Sequence, residues 1–130
     1  MKIVADTNTF LAVSLDEPEK DWLIEATEGH DLVAPVVLPY EIGNALSSLV
    51  RRRVLTETQL VAAWDAAAAV PVELAPVDAR AALLLAAHFH IYAYDAYFLQ
   101  CALATKAPLL TLDRGMEHVA RLLDITLVEE

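Results

Sequence analysis

The sequence predicts an α/β fold: a parallel sheet with helices packed on both faces. Three observations carry this. Short apolar runs that end in Asp or a turn residue alternate with longer stretches of three- and four-residue apolar spacing along the whole chain. The runs are nearly continuous in apolar residues, as strands covered on both faces are. With only 3 Gly and 6 Pro in 130 residues, little of the chain suits long disorder.

In order, residues 2–5 (Lys-Ile-Val-Ala) predict a buried first strand, and 10–15 a short helix. Asp16 is placed as the N-cap of a helix reaching Thr27, with Pro18 in its first turn and Gly29 at its exit. Residues 31–34 follow as a second strand. The clearest helix spans 37–53, where Leu38, Ile42, Ala45, Leu46, Leu49 and Val50 mark one apolar face. Arg51, Arg52 and Arg53 sit at its C-terminal end, where cations suit the helix dipole. Thr56 and Gln59 form a capping-box pattern that opens a helix to about Ala69. Residues 72–74 predict a third strand, 78–89 and 95–105 two helices, 109–112 a strand after Pro108, 116–123 a helix and 126–128 a closing strand. The pattern leaves strand order open.

The length fits one compact domain over 1–130, and the 57% hydrophobic content fills a core without staples. No uncharged apolar run approaches the ~18 residues of a membrane span. A charge arrives by Asp6, too early for a secretion-signal core. The single Cys101 excludes an internal disulfide. Together these predict a cytoplasmic protein with a reduced thiol. The formal net charge of −10 argues against a broad nucleic-acid-binding surface, since phosphate affinity comes mostly from Lys and Arg.

Most acids fall on polar helix faces or in turns. Four do not. Asp6 directly ends the first strand, and Asp113 ends the strand 109–112. In open α/β sheets ligands bind beyond the carboxyl ends of strands, so two such acids can converge there. Glu41 borders the buried stripe of the 37–53 helix beside Ile42, and Asp95 opens an otherwise apolar helix. Taken singly, each has an ordinary role as a turn, cap or boundary residue. Taken together, four acids on apolar elements with no matching set of bases repel one another. Their pKa values rise unless a cation shares the space. Magnesium or manganese suits such oxygen donors, whereas the lack of a Cys pair or of paired helical His ligands makes zinc a poor fit. The matching reaction class is phosphodiester hydrolysis. No Gly-rich phosphate cradle or acyl-transfer signature is present.

With these residues in hand the chain resembles a PIN domain, in particular the VapC-type toxins of toxin–antitoxin pairs. The resemblance rests on Asp6-Thr7-Asn8, on Pro39-Tyr40-Glu41-Ile42-Gly43-Asn44-Ala45-Leu46, on Tyr94-Asp95-Ala96-Tyr97 and on Thr111-Leu112-Asp113, in that order. It implies a three-layer fold with a parallel sheet of about five strands, a homodimer, and a magnesium- or manganese-dependent endoribonuclease. It also implies a cognate antitoxin that inhibits the enzyme and often binds DNA. Asp6 and Asp95 are then the first metal ligands, Asp113 and Glu41 complete the site directly or through water, and Asn8 and Thr111 orient the carboxylates.

Setting those four aside from the 19 acids still leaves 15 against 9 bases, so RNA must be held by a local patch. Arg114, beside Asp113, and part of the run Arg51–Arg52–Arg53 are the candidate phosphate contacts; helix-end capping accounts for the run equally well. The acidic surface also suits a basic antitoxin segment. His88 and His90 cannot share a helix face and, with His30 and His118, are set aside as surface residues. Trp22 and Trp64 are assigned to packing, and Gly43 to close helix packing or substrate access. Two other readings fit the same acids: another metal-dependent phosphodiesterase or phosphatase, and a PIN-like binding module without catalysis. A receiver-type signalling domain fits worst, because its paired acids after the first strand are missing.

Overall fold

The computed structural model describes residues 1–129. Four strands, β1 (Lys2–Ala5), β2 (Asp31–Pro35), β3 (Glu73–Ala75) and β4 (Leu109–Leu110), form one parallel sheet in the order β3-β2-β1-β4. Seven helices surround it: α1 (Thr7–Ser14), α2 (Lys20–Thr27), α3 (Leu38–Arg51), α4 (Glu57–Ala68), α5 (Ala79–Phe89), α6 (Ala93–Thr105) and α7 (Arg114–Leu122). The chain builds outward from β1 to β2 and β3, then returns to the far side of β1 for β4. The direction of growth therefore reverses between β1 and β4, where the diverging helices leave a crevice at the strands' carboxyl ends.

The expected alternation is borne out, with a sheet of four strands rather than about five. The segment around Leu127 makes a single parallel bridge to Leu109, with Leu109 N–H donating to the Thr126 carbonyl (2.8 Å) and Val128 N–H to the Leu109 carbonyl (2.9 Å). A two-residue β4 offers no further ladder for it to follow. β4 itself stops at Leu110 because the Thr111 hydroxyl accepts a hydrogen bond from Asp113 N–H (3.0 Å), which turns the backbone.

Local chemistry explains the remaining boundaries. Asp16 closes α1 instead of capping α2. It adopts a left-handed φ of 58°, its N–H donates to the Val13 carbonyl, and Glu17 N–H donates to that of Ala12. That bond pair is the Schellman arrangement of a helix end, and α2 then begins at Lys20. Thr56 and Gln59 form the expected capping box, with both reciprocal bonds present (3.1 and 2.9 Å). Ile3, Val4, Val33, Leu46, Leu99 and Leu109 lie in the centre of the core. The α6 helix packs against β1 and β2 and buries Cys101 as a free thiol. In contrast, α5 rests mainly on α6 and buries only Ala82. Among the described residues no helix is long and apolar enough to cross a membrane.

Gly43 does not serve close packing: a Cβ built there meets nothing within 4 Å. Gly43→Ala should therefore stabilise α3 by up to about 1 kcal/mol through helix propensity alone, a rise in melting temperature of about 3–5 °C. A fall, read by differential scanning calorimetry, would show that the space is needed.

Candidate active site

The four acids singled out in the sequence stand at four helix N-termini. Asp6 is the N-cap of α1 and Asp113 the N-cap of α7; Glu41 lies in the first turn of α3 and Asp95 in that of α6. Asp95 is thus the third residue of its helix, not its cap, which is Tyr92. Helix N-termini carry partial positive charge, so each carboxylate sits where a backbone dipole favours it.

Asp6 is the centre of the arrangement and is only 3% exposed. Its Oδ1 accepts a hydrogen bond from Thr9 N–H (3.1 Å), and its Oδ2 accepts one from the Thr111 hydroxyl. The Thr9 hydroxyl donates to the Asp6 carbonyl (2.7 Å). Asp113 spends Oδ1 on Met116 N–H (3.1 Å). The Thr7 hydroxyl donates to Glu41 Oε2 (2.6 Å) and ties α1 to α3. Thr111 thus contacts Asp6 directly. Asn8 is exposed and, among the described residues, gives no hydrogen bond to any of the four acids; the neighbouring Thr7 and Thr9 make those contacts. The signal was present in Asp6-Thr7-Asn8-Thr9, where two hydroxyls flank an amide at the start of an apolar helix. Gly115 matters too, without a signal in the local pattern. A Cβ there would lie 3.1 Å from Asp113 Oδ1, so any side chain would crowd that carboxylate.

Burial is the main force on the titration of Asp6, Glu41 and Asp95. It pushes Asp6 up to about 7, against the lowering effect of its bonds from Thr111 and Thr9, and the charges of Asp113 and Glu41 push the same way. Burial also raises Glu41, with Asp95 adding to it against the Thr7 bond, and raises Asp95, with Asp113 adding to it. The four carboxylates therefore form a ring of mutually repelling neighbours. Among the described residues none of them is in an ion pair.

This donor set, all carboxylate oxygen, fits a hard divalent cation. As the side chains are oriented, no three Asp, Glu, His or Cys groups among the described residues enclose an ion-sized space. Magnesium needs no such cage, since it keeps several waters and takes one or two carboxylates. The four histidines are all exposed.

Arg114 is exposed at the first position of α7, directly beyond Asp113. Arg51 and Arg52 are exposed at the opposite end of α3, about 16 Å from Glu41 along the helix axis. Arg52 shares an open groove of about 490 Å³ with Asn8, Leu11, Leu49 and Leu112, and none of the four acids lines it. Glu17 and Glu19 also border it.

The PIN domain family profile matches residues 3–122. The chain belongs to the PIN domain family. PIN domains are generally nucleases and typically use divalent metal ions. The fold of this PIN domain is similar to that in a crystal structure of VapBC2 from Rickettsia felis bound to a DNA fragment from their promoter. The TM-score is 0.68 at 14% identity, covering 98% of this chain and 97% of the other. It is also similar to PAE2754 from Pyrobaculum aerophilum, with a TM-score of 0.66 at 20% identity, covering 89% and 77%. A comparison with curated protein sequences finds no match.

The raised Asp6 has a consequence for stability. Between about pH 4 and 7 the unfolded chain has this carboxyl ionised while the folded chain keeps it protonated. Stability contributed at low pH is therefore lost as pH rises toward 7, on the order of 4 kcal/mol without a cation. Asp6→Asn in EDTA should melt higher than the native chain at pH 8, and the gap should close toward pH 4. A native chain that melts higher at pH 8 would show that the carboxylate is already compensated.

Proposed function

We propose that this PIN domain is a magnesium- or manganese-dependent endoribonuclease, the toxin half of a VapBC-type toxin–antitoxin pair. The observation that carries the reading is a buried Asp6 surrounded by three further carboxylates without a base among them, at the sheet's reversal point. A fold spends stability on such a cluster where a cation is to be held.

In this reading Asp6, Asp95 and Asp113 hold the metal, with Glu41 completing the site. A divalent ion held there would supply charge neutralisation at the phosphodiester and orientation of the attacking water. Glu41, half-buried and raised by its surroundings, is suited to take a proton from that water, and the Thr7 hydroxyl fixes the angle at which it does so. Thr111 and Thr9 hold Asp6 in a single orientation. Arg114 steadies a phosphate next to Asp113, and Arg52, in the open groove, meets a more distant one; Arg51 beside it adds charge. Water that gives its proton to Glu41 bonds to phosphorus as the bond from phosphorus to the departing ribose oxygen breaks; that oxygen takes a proton from solvent, and two RNA ends result.

The likeness to VapBC2 from Rickettsia felis, which binds a DNA fragment from its promoter, supports an antitoxin as the protein partner. The groove bordered by Glu17 and Glu19 suits a basic amphipathic segment of it. A homodimer belongs to the same reading. Leu83 and Leu84 on α5 are exposed on a helix with a single buried residue, and an apolar helix of that kind calls for cover. The site of action is then the cytoplasm.

The test is incubation of the purified chain, freed of bound partner, with total RNA and magnesium or manganese. Discrete fragments that vanish with EDTA and with Asp6→Asn are expected, the substitution lowering the rate at least 100-fold while the protein stays folded. A folded Asp6→Asn chain that still cuts would remove Asp6 from the site. Metal binding without cleavage of any RNA would leave a binding module.

A further inference from the structure

A chain of charge −10 that works on RNA has a difficulty that its few arginines do not solve, because phosphate contacts are the ordinary source of affinity. All four tyrosines lie within three residues of a site acid: Tyr40 next to Glu41, and Tyr92, Tyr94 and Tyr97 around Asp95. Three of them point into solvent, with Tyr40 77%, Tyr92 82% and Tyr94 48% exposed. Tyr97 is half-buried and meets Tyr94 edge-on, ring centres 6.0 Å apart at 83°, which braces the Tyr94 ring. The other aromatics differ: Phe10 and Phe98 are buried in the core, Phe89 and Trp22 pack against it, and the exposed Trp64 stands on α4, which carries none of the four acids.

Tyr40 lies in the first turn of α3 and Tyr92 caps α6, the two helices that present Glu41 and Asp95. We propose that these tyrosines form a base-stacking rim at the N-terminal ends of α3 and α6, and that unpaired bases of the substrate lie on Tyr40, Tyr92 and Tyr94. The proposal rests on the nuclease reading and names residues that hold its substrate. Stacking on an aromatic ring draws on the face of the base, not on phosphate charge, and tolerates any base. It lets an acidic protein hold RNA with few ionic contacts and a shallow salt dependence. A duplex keeps its bases stacked on one another and offers none to the rim.

The test uses fluorescence anisotropy with a short, unstructured, end-labelled RNA and magnesium, in the Asp6→Asn background so that the probe stays intact. Tyr40→Ala and Tyr94→Ala should each weaken binding by roughly 5- to 150-fold, the range for loss of one stacked base. Tyr40→Phe and Tyr94→Phe should bind as the parent does. The slope of affinity against salt should stay the same in all of them, and a fully paired RNA should bind more weakly than the single strand. Alanine variants that bind undiminished, or a duplex that binds equally well, would overturn the rim. So would loss of dimer mass on sedimentation of Tyr92→Ala and Tyr94→Ala with RNA affinity unchanged, which would make this face a contact between copies. Cleavage of total RNA by the chain with native Asp6 separates the two levels. Cleavage together with unaffected alanine variants defeats stacking alone, whereas a folded, metal-loaded chain that neither binds nor cuts any RNA defeats the nuclease reading and the rim with it.

Discussion

The hydrogen bond from Thr111 to Asp6 is the contact on which the rest of the molecule turns. It joins residues 105 positions apart, across the junction where β1 and β4 lie side by side. To make it, β4 must pair on the side of β1 away from β2, and Thr111 must leave the strand so that its hydroxyl faces the carboxylate. The same hydroxyl accepts from Asp113 N–H, which sets the turn that starts α7. One side chain thus closes the sheet, ends β4 and positions two of the four acids.

The electrostatics follow from that closure. Four helices begin at the same edge of the sheet, and each brings an acid in its cap or first turn. Helix dipoles offset part of the charge, but each amounts to roughly half an elementary charge at its end, so four carboxylates stay under-compensated. Burial does the rest: Asp6, Glu41 and Asp95 all move upward, and Asp6 reaches about 7. The threonines limit this rise without cancelling it. Hydroxyl donors suit the purpose because they orient a carboxylate while leaving its charge available, which a lysine or arginine partner would not.

Much of this was legible in the residues. The run Ile3-Val4-Ala5 followed by Asp6, and the apolar spacing of α3, gave strand, helix and two acids, because burial on both faces leaves a clear pattern. What local pattern could not show was set by contacts distant in sequence. Strand order depends on where β4 docks. The closing strand around Leu127 shrinks to one bridge because β4 is cut short by Thr111. Asp16 looks like a helix cap, yet the exit of α1 needed a residue able to take a left-handed turn, and aspartate does that more readily than most. Among the site residues the carboxylates stood out as charges on apolar elements. Thr7 and Thr9 did not, since a threonine beside a strand end is unremarkable until its partner across the fold is known.

The spread of the four acids along the chain has a consequence for its synthesis. Asp6, Glu41 and Asp95 emerge from the ribosome well before Asp113, and Thr111, which fixes Asp6, comes almost as late. No shorter nascent chain holds the complete cluster, and β1 lacks its β4 neighbour until then. Whatever the assembled cluster acts on is thereby out of its reach until the segment that carries Thr111 and Asp113 has been made and has docked.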